Sequence, residues 1–193
     1  MMMMIIAIDA GHGPETAGKR SPDGTLREYQ FNSAVADEME KLLSAYKCSF
    51  FRTDEKNSDV ALTARTNEAN TKKATLFISI HANAVGNDWS ASGGIETLIR
   101  DGDPTSERYR EDFAIATAVQ RRLVQGTKLR DRQVKQRKDL HILNASRCPT
   151  ILVEAGFMTN RAECNLLKSP AYRKLVADCI VKGVIDVYKL AKK

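Results

Sequence analysis

Long apolar runs are absent from this chain. The longest, near Met1–Ile8 and Thr150–Val153, fall far short of the roughly 18 residues that a membrane-spanning helix requires. A transmembrane helix is excluded. Glycine and proline number 11 and 5, too few for a collagen-like or low-complexity chain. Cysteine is sparse as well: Cys48, Cys148, Cys164 and Cys179 stand far apart. Structural zinc sites use short paired spacings, so these four read as small buried hydrophobes in a reducing compartment. The parts of a secretion signal are also missing. No basic residue precedes the first apolar stretch, Asp9 ends it early, and no small-residue cleavage site follows. The expectation is a protein made in the cytoplasm without a signal peptide.

What is present is enough chain for one domain: 193 residues, 42% of them hydrophobic. Such a length buries roughly 70% of the surface exposed when unfolded, so a core forms without staples. The net charge of +6 is unevenly placed. Nine basic residues fall between Arg121 and Arg147, opposed only by Asp131 and Asp139, so this segment carries +7 and the remainder −1. A local positive field reads as a solvated loop or a surface for a polyanion. Nucleic acid is disfavoured as that polyanion, because helix-turn-helix patterning, paired-finger spacing and interleaved aromatics are all missing.

Hydrophobic periodicity alternates between two kinds. Ile5–Ile8, Cys48–Phe51, Leu76–Ile80, Ile95–Ile99, Leu140–Leu143 and Thr150–Val153 read as strands. Helical spacing covers Tyr29–Leu43, Leu62–Lys73, Ser106–Leu123, Arg161–Leu167 and Tyr172–Tyr188. Strands separated by helices predict a single α/β domain with a largely parallel sheet and helices on both faces. Active sites of such sheets gather beyond the carboxyl ends of the strands.

Three predicted strand ends carry chemistry there. The chain has three histidines, and His12 and His81 each follow a buried strand directly. Glu28 opens the first long helix. Two imidazoles and a carboxylate make a common catalytic zinc set with a fourth position open to water; each histidine alone reads better as a hydrogen-bonded loop residue, and their shared strand-end placement favours the metal. Glu154, following Ile151-Leu152-Val153, puts an ionisable group against a buried strand, where carboxylates need a charge partner. It suits a general base that takes a proton from water and hands it to a leaving amine; a salt bridge to an arginine is the plainer alternative. Other chemistries are weaker. The glycines of Asp9-Ala10-Gly11-His12-Gly13 lack nucleotide-binding spacing, and no Gly-x-Ser-x-Gly occurs.

Taken in order, the motifs resemble the zinc-dependent N-acetylmuramoyl-L-alanine amidases of bacterial cell walls and phage endolysins. The matching stretches are Ile6–Gly13, Arg27–Asn32, Arg52–Asp54, Leu62–Asn70, Phe77–Asn83, Gly93–Glu96, Leu140–Leu143 and Pro149–Asn160, within residues 5–188. The resemblance implies a twisted, mostly parallel six-stranded sheet, and one Zn2+ ion held by His12, Glu28 and His81. It implies Glu154 as the catalytic glutamate, and hydrolysis of the amide between N-acetylmuramic acid and L-alanine of peptidoglycan. Asn83 and His141 stand as substrate-groove residues, with solvent exposure the plainer reading of His141. A zinc carboxypeptidase or endopeptidase acting on stem peptides, or a non-catalytic wall-binding protein, are the rival readings.

Some members of that family plug the active site with an inserted helix. The short Asn83–Gly93 connection leaves no room for one, so constitutive activity is expected. Residues 1–193 are expected to form a single catalytic domain, active as a monomer, without a separate wall-binding module. Arg130, Arg132, Lys135, Arg137 and Lys138 would then track teichoic-acid phosphates. Access to the wall would follow host lysis or passage through a phage membrane pore, as for an endolysin or lytic autolysin.

Overall fold

In the computed structural model, described for residues 3–193, one mixed sheet organises the chain. Its strands are β1 (Met4–Ala10), β2 (Cys48–Arg52), β3 (Leu76–Asn83), β4 (Ile95–Arg100), β5 (Asp131–Arg137) and β6 (Thr150–Phe157). The helices are α1 (Glu28–Leu43), α2 (Leu62–Thr71), α3 (Glu107–Thr127), α4 (His141–Ala145), α5 (Arg161–Lys168) and α6 (Pro170–Tyr188). Across the sheet the order is β2-β1-β3-β6-β4-β5. Every neighbouring pair is parallel except β4 with β6. That reversal brings the start of β4 beside the end of β6, pairing Glu96 with Glu154.

The two faces of the sheet differ in what they bury. Ile6, Ile8, Ile78, Ile80, Ile151 and Val153 point to the thick face, against Phe31 and Val35 of α1, Val119 of α3 and Val176 and Ile180 of α6. Each such side chain contributes roughly 1.5–3 kcal/mol by leaving water. The thin face holds Ala7 and Phe77 against Ala69 of α2 and Ile142 of α4, with Leu98 and Leu152 against Leu143. Strand alternation therefore sends Asp9, Ser79, His81, Glu96 and Glu154 toward this thinner side. All four cysteines are free and buried. No helix among the described residues is long and apolar enough to cross a membrane.

Two expectations are corrected. Leu140–Leu143 is not a strand; its apolar pair Ile142 and Leu143 lies on the short helix α4, and so brief an apolar run fits either period. The sixth strand is β5, inside the basic segment. With Val134 its lone aliphatic residue, β5 lacks the alternation that marks a half-buried strand. It is an edge strand carrying the charge that edges use against unwanted pairing. The strands also run longer than their apolar cores, so His81, Asn83 and Glu154 are strand residues rather than loop residues. Met1 and Met2 lie outside the described residues.

Candidate metal centre

Three elements deliver the cluster. His12 follows β1 in a left-handed conformation, with φ of 61°, which carries its ring out of the strand direction. Glu28 is the first residue of α1, where the helix dipole favours negative charge. The entry into α1 is secured by Gln30, whose Oε1 accepts from the Arg27 N–H at 3.0 Å. His81 comes from β3, directly beside Glu154 in the parallel β3–β6 register.

The side chains converge on a single point. Glu28 Oε1 lies 2.9 Å from His81 Nδ1, and Oε2 lies 3.3 Å from His12 Nε2. One ligand atom from each of His12, Glu28 and His81 falls within 4.8 Å of the others. The rings meet edge to face at 5.0 Å. Glu28 is further held by the Ala82 N–H at 3.2 Å, and Asn32 Nδ2 fixes the Gly11 carbonyl at 2.9 Å. A side chain at Gly11 would overlap the His81 ring, so only glycine lets the two strands bring both imidazoles together.

Electrostatics separate the groups. Burial lowers the pKa of His12 to about 4, Glu28 opposing it in part, so this imidazole is neutral and a ready ligand. Burial also disfavours charge on Glu28 and on His81, but their mutual contact outweighs it, lowering the carboxyl and raising the imidazole. Glu154 behaves differently. Burial pushes it up to about 8, against the pull of His81 and with the push of Glu28 and Glu96. Its Oε2 is sealed from solvent without a hydrogen-bond partner. A buried polar atom left unmatched beside a two-histidine, one-carboxylate donor set is what a cation and its water would satisfy. The residues fit a zinc ion.

The sequence model of the N-acetylmuramoyl-L-alanine amidase family matches residues 6–186. The chain belongs to this family. An uncharacterized Bacillus subtilis protein, YqiI, is 31% identical over 95% of the chain and 84% of its own length. The N-acetylmuramoyl-L-alanine amidase LytC of the same organism is 30% identical over 95% of the chain, which spans 35% of LytC. An endolysin of Bacillus phage SPP1 is 26% identical over the whole chain and 69% of the phage protein. The catalytic domain of CwlV, an amidase from Bacillus (Paenibacillus) polymyxa, superposes with a TM-score of 0.88 at 28% identity, covering 98% of this chain and 100% of that one.

Within this amidase-family fold the other expected residues take distinct places. Asn83 does border the cleft with His12, Glu28, His81 and Glu154, and its Nδ2 donates to Glu96 Oε1 at 3.1 Å. His141 is half-buried; its Nε2 lies 3.2 Å from Thr66 Oγ1, and it lines a 270 Å³ cavity with His12, His81 and Glu154. Five of the nine cations in the basic segment are paired with acids. Arg132 and Lys135 bind Glu96 at 2.7 and 2.6 Å, and Arg137 binds Asp139 at 2.7 Å. Arg121 and Arg122 bind Asp186. Among the described residues no acid lies within ion-pair distance of Arg130 or Lys138.

Sequence reasoning missed Glu96, whose carboxylate stands next to Glu154 and gathers Asn83, Arg132 and Lys135 around it. Its one signal was a charge inside the apolar run Ile95–Ile99; the partners depend on strand register, which no local pattern carries. Asp9 and Ser79 were likewise seen as motif letters, without the buried contacts described below.

Proposed function

We propose that the protein is a zinc-dependent hydrolase of the amide joining the lactyl group of N-acetylmuramic acid to L-alanine of the peptidoglycan stem. The observation that carries the reading is Glu154, half-buried, with Oε2 sealed from solvent and without a partner, aligned with His81 beside the His12–Glu28–His81 cluster. A zinc ion held by those three residues would polarise the scissile carbonyl and lower the pKa of water at its open position. Glu154 takes the proton of the attacking water and returns it to the alanine nitrogen as the bond breaks. Asn83, held by Glu96, and His141, held by Thr66, offer polar groups to substrate in the cavities that Glu154 also lines.

A lytic role, as endolysin or autolysin acting as a monomer on the wall after lysis or release through a pore, completes the proposal. It is supported by the phage endolysin and the bacterial amidase among the relatives. Of Arg130, Arg132, Lys135, Arg137 and Lys138, the two without an acid partner among the described residues, Arg130 and Lys138, are the cations best placed for teichoic phosphates.

Mass spectrometry of digested peptidoglycan, with the enzyme zinc-loaded and zinc-stripped, tests the bond. Stem peptides with free L-alanine amino termini, from the loaded enzyme alone, are expected. Fragments cut within the stem would replace the amidase by a peptidase, and no release with zinc present would remove the enzymatic reading.

A further inference from the structure

Behind the metal cluster lies a buried polar chain whose order of donors and acceptors is forced. Asp9 Oδ1 accepts hydrogen bonds from Thr53 Oγ1 and Arg65 Nη1, each at 2.8 Å. Its other oxygen, Oδ2, accepts from Ser79 Oγ at 2.5 Å. Asp9, Arg65 and Ser79 are at most 2% exposed, so the guanidinium is the charge partner that a buried carboxylate requires. A hydroxyl carries one proton. Ser79 commits it to Asp9, so the 3.2 Å contact between Ser79 Oγ and His81 Nε2 draws its proton from the imidazole.

We propose that Arg65, Asp9 and Ser79 form a positioning relay that holds His81 as the Nε2–H tautomer, leaving Nδ1 as the lone pair that faces zinc. Nδ1 is the atom that lies 2.9 Å from Glu28 Oε1, inside the cluster. Ligating histidines usually donate their second N–H to a carboxylate, carbonyl or water, which fixes the ring and raises its basicity. Here a serine stands between imidazole and carboxylate, and an arginine balances the charge.

The same arginine reaches the other histidine. Arg65 Nη1 donates to the Ala10 carbonyl at 2.6 Å and Nη2 to the His12 carbonyl at 3.1 Å. From α2 it also braces the preceding loop, where Nε donates to the Val60 carbonyl at 2.9 Å. His12 is thereby pinned in its left-handed conformation, which an unsupported non-glycine residue rarely holds. One buried ion pair sets the tautomer of one ligand and the backbone of the other.

The inference rests on the zinc reading above, and its tests measure metal binding rather than turnover. Zinc affinity is titrated against a competing chelator for wild type, S79A, D9N and T53V, with thermal melts of each. S79A keeps the Asp9–Arg65 pair and removes only the bridge. D9N turns an amide donor toward Ser79, so the hydroxyl proton must swing to His81 Nε2 and the tautomer inverts. Both should bind zinc about 10- to 100-fold more weakly. T53V removes a hydrogen bond to the same carboxylate outside the relay; it should melt lower and bind zinc as wild type does. Wild-type affinity in S79A, or equal weakening in all three variants, would overturn the relay.

A measurement on the wild-type protein alone stands beside these. Nitrogen-15 NMR of the zinc-loaded enzyme should show His81 protonated at Nε2 and ligated through Nδ1; the reverse assignment would overturn the proposal. A wild-type chain that takes up no zinc would overturn the metal reading and the relay together. Zinc uptake that ignores Ser79 would overturn the relay alone.

Discussion

At Glu154 the surroundings oppose ionisation, burial first and the neighbouring Glu28 and Glu96 after it, with His81 working the other way. Its pKa of about 8, against an ordinary 4.5, means that the folded metal-free protein holds this proton more tightly than the unfolded chain. The stability so gained is complete below about pH 4.5 and is lost as pH rises toward 8. Glutamine at 154 cannot titrate. The difference in Tm between wild type and E154Q should therefore fall through that window in zinc-stripped protein, measured by thermal melts in matched buffers. A cation in the cluster favours the carboxylate, so the same difference should flatten with zinc bound. A flat profile without metal would show that Glu154 is not shifted. His12, lowered to about 4, acts with the opposite sign, adding stability above its ordinary 6.5 that is lost as pH falls through 4, and it cancels between the two proteins.

The four residues of this centre were legible because each is a chemically loud group next to an apolar run. His12 and His81 close buried strands, Glu154 interrupts one, and Glu28 opens a helix. Asp9, Ser79 and Glu96 are buried and also charged or polar, yet their roles depend on which strand lies beside which. That information resides in register. Sequence proximity shows that Ser79 shares a face with His81; it does not show that Asp9, seventy residues earlier, accepts the serine proton.

At the scale of elements, α1, β1 and β3 must approach closely enough for one carboxylate to bridge two imidazoles. Gly11 is where that approach is tightest, since any Cβ would overlap His81. G11A should fold with a loss of about 1–3 kcal/mol and lose most of its zinc, read together by chemical denaturation and elemental analysis. Retention of full zinc content would show that the ring has room to move. At the other side of the sheet, β5 was unreadable as a strand because its charges conceal its pairing. Glu96 draws Arg132 and Lys135 back over the sheet edge. In E96A the two cations lose that partner, and hydrogen exchange along residues 131–137 should quicken, reflecting about 1–3 kcal/mol of lost local protection. Unchanged exchange would mean that the strand is held by its backbone ladder alone.

Over the whole molecule, the parallel arrangement and the burial pattern followed from alternation of strand and helix periods, whereas the pairing of the surface charges depends on which elements the fold brings together. The excess of seven positive charges along residues 121–147 already counts Asp139; folding sets only Glu96 and Asp186 against it, leaving +5 around the ion pairs. Adsorption to walls rich in teichoic phosphate should therefore weaken with rising salt. It should be reduced by the double variant R130A/K138A, with turnover on small soluble substrates unchanged. Adsorption indifferent to both salt and that double variant would remove the polyanion from the account.

In the proposed site three residues hold metal and one moves a proton, and E154Q divides those roles. Zinc content by elemental analysis, taken on the same E154Q sample used for a peptidoglycan digestion, should show one ion per chain with turnover reduced by about 10²- to 10⁴-fold. Loss of the ion would make Glu154 a ligand, and turnover near the wild-type rate would take the proton transfer away from it; either result contradicts the account.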